Sequence, residues 1–175
     1  MSPPTLVIVS GPAGSGKTTL AHGLARTIGC PAICRDEIKE GMAHATGQFD
    51  PAPGDPLTVR TLPLFFAVVR LLLEGGVTVV AEAAFQDELW KPNLERLSQL
   101  GRVRIVQCHT DPGTARERTR DRPPRMAHAD AQVIDDPRYF EDFRRVAMSA
   151  PSIDVDTTSG YQPSIEHLVA FINDG

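Results

Sequence analysis

Apolar residues follow two alternating rhythms along the chain. Thr5–Ser10 reads Thr-Leu-Val-Ile-Val-Ser, a β-branched run bounded by proline and glycine. Such a run suits a strand buried on both faces. In Lys17–Ile28 the apolar positions Leu20, Leu24 and Ile28 recur at helical spacing, and Gly29 ends the segment. Pro31–Cys34 is expected as a second strand, and Asp36–Ala45 as a helix. Gly47–Pro56 is rich in Pro, Gly and Asp and reads as a loop. Leu57–Glu74 is strongly apolar and expected to be helical from either Pro56 or Pro63. An earlier start predicts a kink at Pro63. Gly75-Gly76 stops it.

The rhythm then repeats. Val77–Ala81 is a buried strand ending at Glu82, and Asp87–Leu100 puts Leu94, Leu97 and Leu100 on one helical stripe. Val103–Cys108 is a fourth strand. Asp111-Pro112 supplies an N-cap aspartate and a proline at the first helical position. Asp136-Pro137 repeats that device before Phe140, Phe143 and Ala147. Ile153–Val155 is a weak fifth strand. In Pro163–Ile172 the residues Ile165, Leu168, Val169 and Ile172 form one helical face.

Alternating strands and helices imply right-handed crossovers and a parallel sheet covered on both faces. The expected fold is a three-layer α/β unit with five parallel strands, in one domain over residues 1–175. In such sheets ligands bind beyond the carboxyl ends of the strands, so candidate chemistry is sought there.

One such end carries a specific motif. Gly11-Pro12-Ala13-Gly14-Ser15-Gly16-Lys17-Thr18 matches G-x-x-x-x-G-K-[ST] at every fixed position, between a strand and a helix. Glycines let successive backbone N–H groups face phosphate oxygens, and the helix N-terminus adds partial positive charge. Lys17 is expected to reach the β- and γ-phosphates of ATP, with Thr18 binding Mg2+ and Thr19 completing the cradle. The chain lacks an Asn-Lys-x-Asp guanine motif, which argues against a GTPase. At 175 residues it is short for motor or multi-subunit ATPase domains.

Composition changes this picture little. The net charge of −4 argues against a dominant nucleic-acid surface without excluding a local basic patch. Cys30, Cys34 and Cys108 are too few and too irregular for a disulfide framework, and no paired CxxC points to zinc. They are expected to be small buried residues. The apolar run at Leu71–Leu73 is closed by Arg70 and Glu74. No segment of roughly 20 apolar residues is expected to span a bilayer, and the start lacks signal-peptide features. A cytoplasmic protein without membrane contact is the expectation.

Four blocks in order carry a family resemblance: Gly11–Thr18, Arg35-Asp36-Glu37-Ile38-Lys39-Glu40-Gly41, Val80-Ala81-Glu82-Ala83-Ala84-Phe85, and the arginine-rich stretch from Arg116 to Arg125. The chain resembles the small P-loop kinases that include chloramphenicol phosphotransferase, zeta-toxin-type kinases and the kinase part of polynucleotide kinase. It is more closely similar to the bacterial AAA-domain predicted kinases of that group. The resemblance implies an acidic base at Asp36 and a lid Arg-x-x-x-Arg pair at Arg118 and Arg122.

The residues themselves fit those roles. Asp36 follows the second strand, where a carboxylate can take the proton of an acceptor hydroxyl, or simply cap a helix. Glu82 ends the third strand, where it can hold Mg2+ through water. A lid over about residues 116–135 would close arginines onto the transferring phosphoryl. On a helix, Arg118 and Arg122 would share one face and Arg116 and Arg120 roughly the opposite one. His128 and Asp130 can border the acceptor, and Asp156-Thr157-Thr158 the adenine.

The expected activity is transfer of the ATP γ-phosphate to a small-molecule or nucleoside hydroxyl. Asp36 and Glu37 together would repel an acceptor that already carries a phosphate. Three alternatives stay open: a 5′-hydroxyl polynucleotide kinase, a nucleoside monophosphate kinase, and a nucleotide-dependent switch.

Overall fold

The computed structural model describes residues 2–52, 54–85, 87–128 and 143–174, apart from the side chains of Asp87 and Leu89. The expected helix start at Asp136-Pro137 and residues 129–135 of the expected lid, Asp130 among them, lie outside the described residues.

Five parallel strands form one sheet: β1 (Thr5–Ser10), β2 (Ala32–Cys34), β3 (Val79–Glu82), β4 (Arg102–His109) and β5 (Ser152–Asp156). Their order across the sheet is β2-β3-β1-β4-β5. The helices among the described residues are α1 (Lys17–Ile28), α2 (Arg35–Thr46), α3 (Pro56–Glu74), α4 (Asp87–Leu97), α5 (Pro112–Arg120) and α6 (Ile165–Asn173).

The pleat of β1 divides the core. Leu6 and Ile8 face one side and pack with Phe65, Val69, Trp90 and Leu94 of α3 and α4. Val7 and Val9 face the other side and pack with Leu20, Leu24, Leu168 and Ile172 of α1 and α6. All six residues of β1 are buried. A strand apolar on both faces is what a sheet covered by two helical layers requires.

One open alternative is decided and three expectations need correction. The helix α3 starts at Pro56, because the Asp55 side chain accepts from the Thr58 N–H at 2.8 Å and caps it. Pro63 lies inside it. This helix also has the length and apolar content to cross a membrane, which the sequence was expected to lack. Here its Thr61, Phe65 and Val69 are fully buried in the protein core. The last helix begins at Ile165 rather than Pro163, with Ser164 as its cap accepting from the His167 N–H. Finally, α5 ends at Arg120, with Asp121 as its C-cap. Arg122 therefore lies off the helix and cannot share a helical face with Arg118.

Candidate functional site

Every loop of interest leaves the carboxyl end of a strand. The glycine-rich loop follows β1, Asp36 follows β2, Glu82 ends β3, and Thr157 follows β5. The chain runs from β1 to one side of the sheet and returns after β3 to the other, so the crevice at β1 is the topological switch point.

The loop conformation demands its glycines. Gly14 and Gly16 have φ values of 70° and 72°, in the left-handed region that side chains disfavour. A Cβ on Gly14 would lie 2.3 Å from the Ala115 carbonyl oxygen of α5. The loop is thus pressed between α1 and α5, and no larger residue fits. Pro12 and Ala13 are half-buried on its outer turn, and Gly11 is buried beside Cys108. The Ser15 carbonyl accepts from the Thr157 hydroxyl at 2.6 Å. The same hydroxyl lies 3.1 Å from the His109 carbonyl oxygen, within hydrogen-bond reach, and the Thr157 N–H donates to that carbonyl. Thr157 is buried and braces the loop from behind, a role the expected adenine contact did not include.

Lys17, Thr18 and Glu82 meet at the mouth of the crevice. Thr18 Oγ1 donates to Glu82 Oε2 at 3.1 Å, and Lys17 Nζ lies 4.0 Å from Glu82 Oε1. Lys17 Nζ also donates to the Pro12 carbonyl at 3.3 Å. Burial pushes the Glu82 carboxyl up, Lys17 and Thr18 pull it back, Asp36 adds to the rise, and the net shift is upward. A hydroxyl beside a buried carboxylate is an oxygen donor set that suits a hard cation such as Mg2+. A cation there would also favour the ionised carboxylate. Thr19 is exposed on α1.

Asp36 lies in the first turn of α2 with its side chain one-third exposed. Arg35 Nη1 donates to Asp36 Oδ1 at 3.0 Å, and His128 Nε2 stands 4.0 Å from Asp36 Oδ2. Burial alone would raise this carboxyl. His128, Lys17, Arg35 and Arg125 outweigh it and hold the group below the usual aspartate range. The capping alternative does not apply, because Asp36 is the second residue of the helix and Cys34 occupies the cap.

The segment after α5 reaches Asp36 through a latch. The Glu40 carboxylate accepts from the Ala127 N–H at 3.0 and 3.1 Å, and Ala127 is buried against Ala43 and Leu57. That latch places Arg125 and His128 at the site. The sequence offered Arg125 only as one arginine of five. Arg118 goes elsewhere: its Nη2 donates to the carbonyls of Thr157 and Thr158 at 2.7 and 3.1 Å. Its Nη1 comes to about the van der Waals distance from a Cβ placed on Gly16. Arg118 therefore stands beside the glycine-rich loop. Glu37 turns away from Asp36, with Oε1 at 2.7 Å from His22 Nε2.

The chain is similar over its whole length to several solved kinases. A candidate kinase from Chloroflexus aurantiacus has a TM-score of 0.80 at 21% identity, covering 98% of this chain and 97% of that one. A sugar kinase from a Janibacter species has a TM-score of 0.68 at 20% identity, covering 98% and 95%. The Mycobacterium tuberculosis APS kinase, solved with AMPPNP and APS, has a TM-score of 0.65 at 16% identity, covering 97% and 95%. At such identities the likeness is one of fold. No curated protein sequence matches the chain. Residues 6–141 match the model of the AAA_33 family, described as AAA domain, and the chain belongs to that family.

Proposed function

We propose that the chain is an ATP-dependent phosphotransferase that moves the γ-phosphate to a hydroxyl of a small molecule, within the group of P-loop kinases its motifs resemble. The observation that carries this reading is the pairing of a glycine-rich phosphate loop with a separate, cation-surrounded carboxylate at Asp36. A nucleotide switch needs the loop but has no use for a second carboxylate poised to take a proton. The likeness to kinases, one of them solved with a nucleotide analogue, supports the same reading.

In this scheme the N–H groups of Gly11, Pro12–Gly16 and Lys17 (proline excepted) and the Lys17 ammonium hold the phosphates. Thr18 and Glu82 would hold Mg2+, which when bound neutralises charge on the β- and γ-phosphate oxygens. Asp36 takes the acceptor proton. Arg118 borders the nucleotide, and Arg122 has no assigned contact with it.

The acceptor follows from the surroundings of Asp36. With Glu37 turned to His22, the two carboxylates do not face the acceptor together. A neutral alcohol, such as a nucleoside or a hydroxylated antibiotic, fits the mildly acidic chain. A second reading is favoured by Arg35, Arg125 and His128 around Asp36: a small hydroxyl compound that also bears a carboxylate or phosphate.

The test compares kcat/KM with Mg-ATP for neutral alcohols, hydroxy acids, nucleoside monophosphates and a 5′-hydroxyl oligonucleotide. Highest efficiency with the oligonucleotide would overturn the small-molecule reading. In parallel, Lys17→Ala should abolish transfer or sharply weaken ATP binding. Wild-type affinity together with wild-type turnover in that variant would remove the proposal.

A further inference from the structure

Behind the phosphate-binding crevice, three donors from three elements converge. His22 lies one turn after Thr18 on α1, on the same face. Cys34 ends β2 and pairs in register with Glu82 of β3. Glu37 lies in the first turn of α2. Their ligand atoms all lie within 4.8 Å of one another. Cys34 Sγ is 3.7 Å from His22 Nε2, which is 2.7 Å from Glu37 Oε1.

Those spacings approach a coordination sphere. With Zn–N and Zn–O near 2.0–2.2 Å and Zn–S near 2.3 Å, neighbouring donors of a tetrahedral ion stand roughly 3.3–3.5 Å apart. The sulfur–nitrogen pair is already close to that spacing. The nitrogen–oxygen pair needs to open by about half an ångström, which the half-exposed Glu37 side chain can supply. Burial is graded in a useful direction: the thiol sits at the floor, 2% exposed, while the His22 and Glu37 side chains are 42% and 53% exposed. An ion has a path in, and a fourth position faces solvent.

We propose that His22, Cys34 and Glu37 form a binding site for a borderline divalent cation of the Zn2+ class, completed by water. Mixed sulfur, nitrogen and oxygen donors select such an ion over Mg2+ or Ca2+, which prefer oxygen alone. Binding forms a Zn–S bond, and the Cys34 thiol proton leaves to solvent. The His22–Glu37 hydrogen bond is exchanged for two metal bonds, with the proton on His22 Nε2 leaving that nitrogen and Nδ1 carrying the ring proton of the neutral imidazole. No electron is transferred. The thiolate and the Glu37 carboxylate balance the charge of the ion, and the ion in turn offsets the burial and the neighbouring Glu82 and Glu37 carboxylates that hold the free thiol protonated. The site is distinct from the Thr18–Glu82 oxygen pair but shares a wall with it, since Thr18 precedes His22 and Glu82 flanks Cys34.

The experiment uses the full chain, stripped with a chelator and then held in excess Mg2+ so that hard-oxygen sites are filled. Co2+ is titrated and followed optically, and Zn2+ affinity is measured by competition with a chromophoric chelator. The expected result is one equivalent of Co2+ giving a thiolate-to-metal charge-transfer band that Cys34→Ser abolishes. His22→Gln and Glu37→Gln should each weaken Zn2+ by at least the roughly 10–100-fold that loss of an outer partner alone causes. Both residues are partly exposed, so these variants report on the site without disturbing the core. Cys30→Ser should leave band and affinity unchanged. Absence of the band in the wild type, its persistence in Cys34→Ser, or unchanged Zn2+ affinity in both His22→Gln and Glu37→Gln would overturn the proposal.

Discussion

Asp36 shows how a single position draws its chemistry from groups far away in sequence. Its place after β2 was legible, because a carboxylate at a strand end points toward the crevice. Its electrostatic setting was not, since His128 and Arg125 arrive on a segment latched by Glu40. Asp36→Asn should leave ATP affinity nearly unchanged and cut transfer by roughly 10²–10⁴-fold, the usual worth of general-base help. Collapse of thermal stability with activity per folded molecule intact would show that the residue is structural. The depressed pKa also fixes a sign. Asp36 stays ionised to lower pH than an ordinary aspartate, so the acidic limb of kcat/KM should lie below the ordinary aspartate range. His128→Ala removes the largest of the groups that lower it and should move that limb upward. A pH–rate profile of the two proteins checks this, and an unmoved limb would exclude Asp36 as the titrating base.

Among the elements, α3 depends on one buried ion pair at its start. Lys39 Nζ donates to Asp55 Oδ2 at 2.6 Å, with the side chains only 7% and 3% exposed. The other Asp55 oxygen caps the helix. Asp55→Ala removes a cap and strands a buried ammonium, and should destabilise the fold by about 3–5 kcal/mol. Lys39→Met should cost less, because Asp55 keeps its cap. Urea denaturation at neutral pH separates the two, and equal costs would show that the cap adds nothing beyond the ion pair. Burial tends to raise the Asp55 carboxyl, but Lys39, the Thr58 N–H and the Ala52 backbone hold it below the ordinary range. Its stabilisation is therefore present above the ordinary aspartate pKa and is lost as pH falls through the lower folded value. The Asp55→Ala variant should show a flatter acid limb of stability. Two prolines left the start of α3 open in the sequence, and only the Lys39 contact from α2 explains why Asp55 is buried. The expectation that Arg118 and Arg122 share a helical face failed for a local reason that the sequence did contain. Arg122 precedes Pro123, and a residue before proline is driven out of helical geometry. The helix could not carry both Arg118 and Arg122.

At the scale of the whole molecule, the alternation of strands and helices was legible because each period reports burial directly, on two faces for β1 and on one stripe for α1 and α6. Contacts between distant segments leave no period, so neither the His22–Cys34–Glu37 cluster nor the Thr157 brace could be read from spacing. The brace joins the two ends of the chain: the Thr157 hydroxyl donates to the Ser15 carbonyl across 142 positions and also lies within reach of the His109 carbonyl oxygen. It ties the phosphate loop to the carboxyl ends of β4 and β5, which already pair in the sheet. Thr157→Val keeps the shape of the side chain but leaves the buried Ser15 carbonyl without its hydroxyl donor. The expected loss of stability is about 1–3 kcal/mol, the desolvation cost of an unpaired buried polar group. Because the loosened segment is the phosphate loop, the affinity for Mg-ATP should fall as well, and the stabilisation that saturating Mg-ATP confers should shrink with it. Thr157→Ser restores the hydroxyl and should recover both properties. Denaturation of the three proteins with and without Mg-ATP makes the comparison. If Thr157→Val matches the wild type in stability and in its response to nucleotide, then the loop is held by the packing of Gly14 on α5 alone, and the chain termini are not coupled through the site.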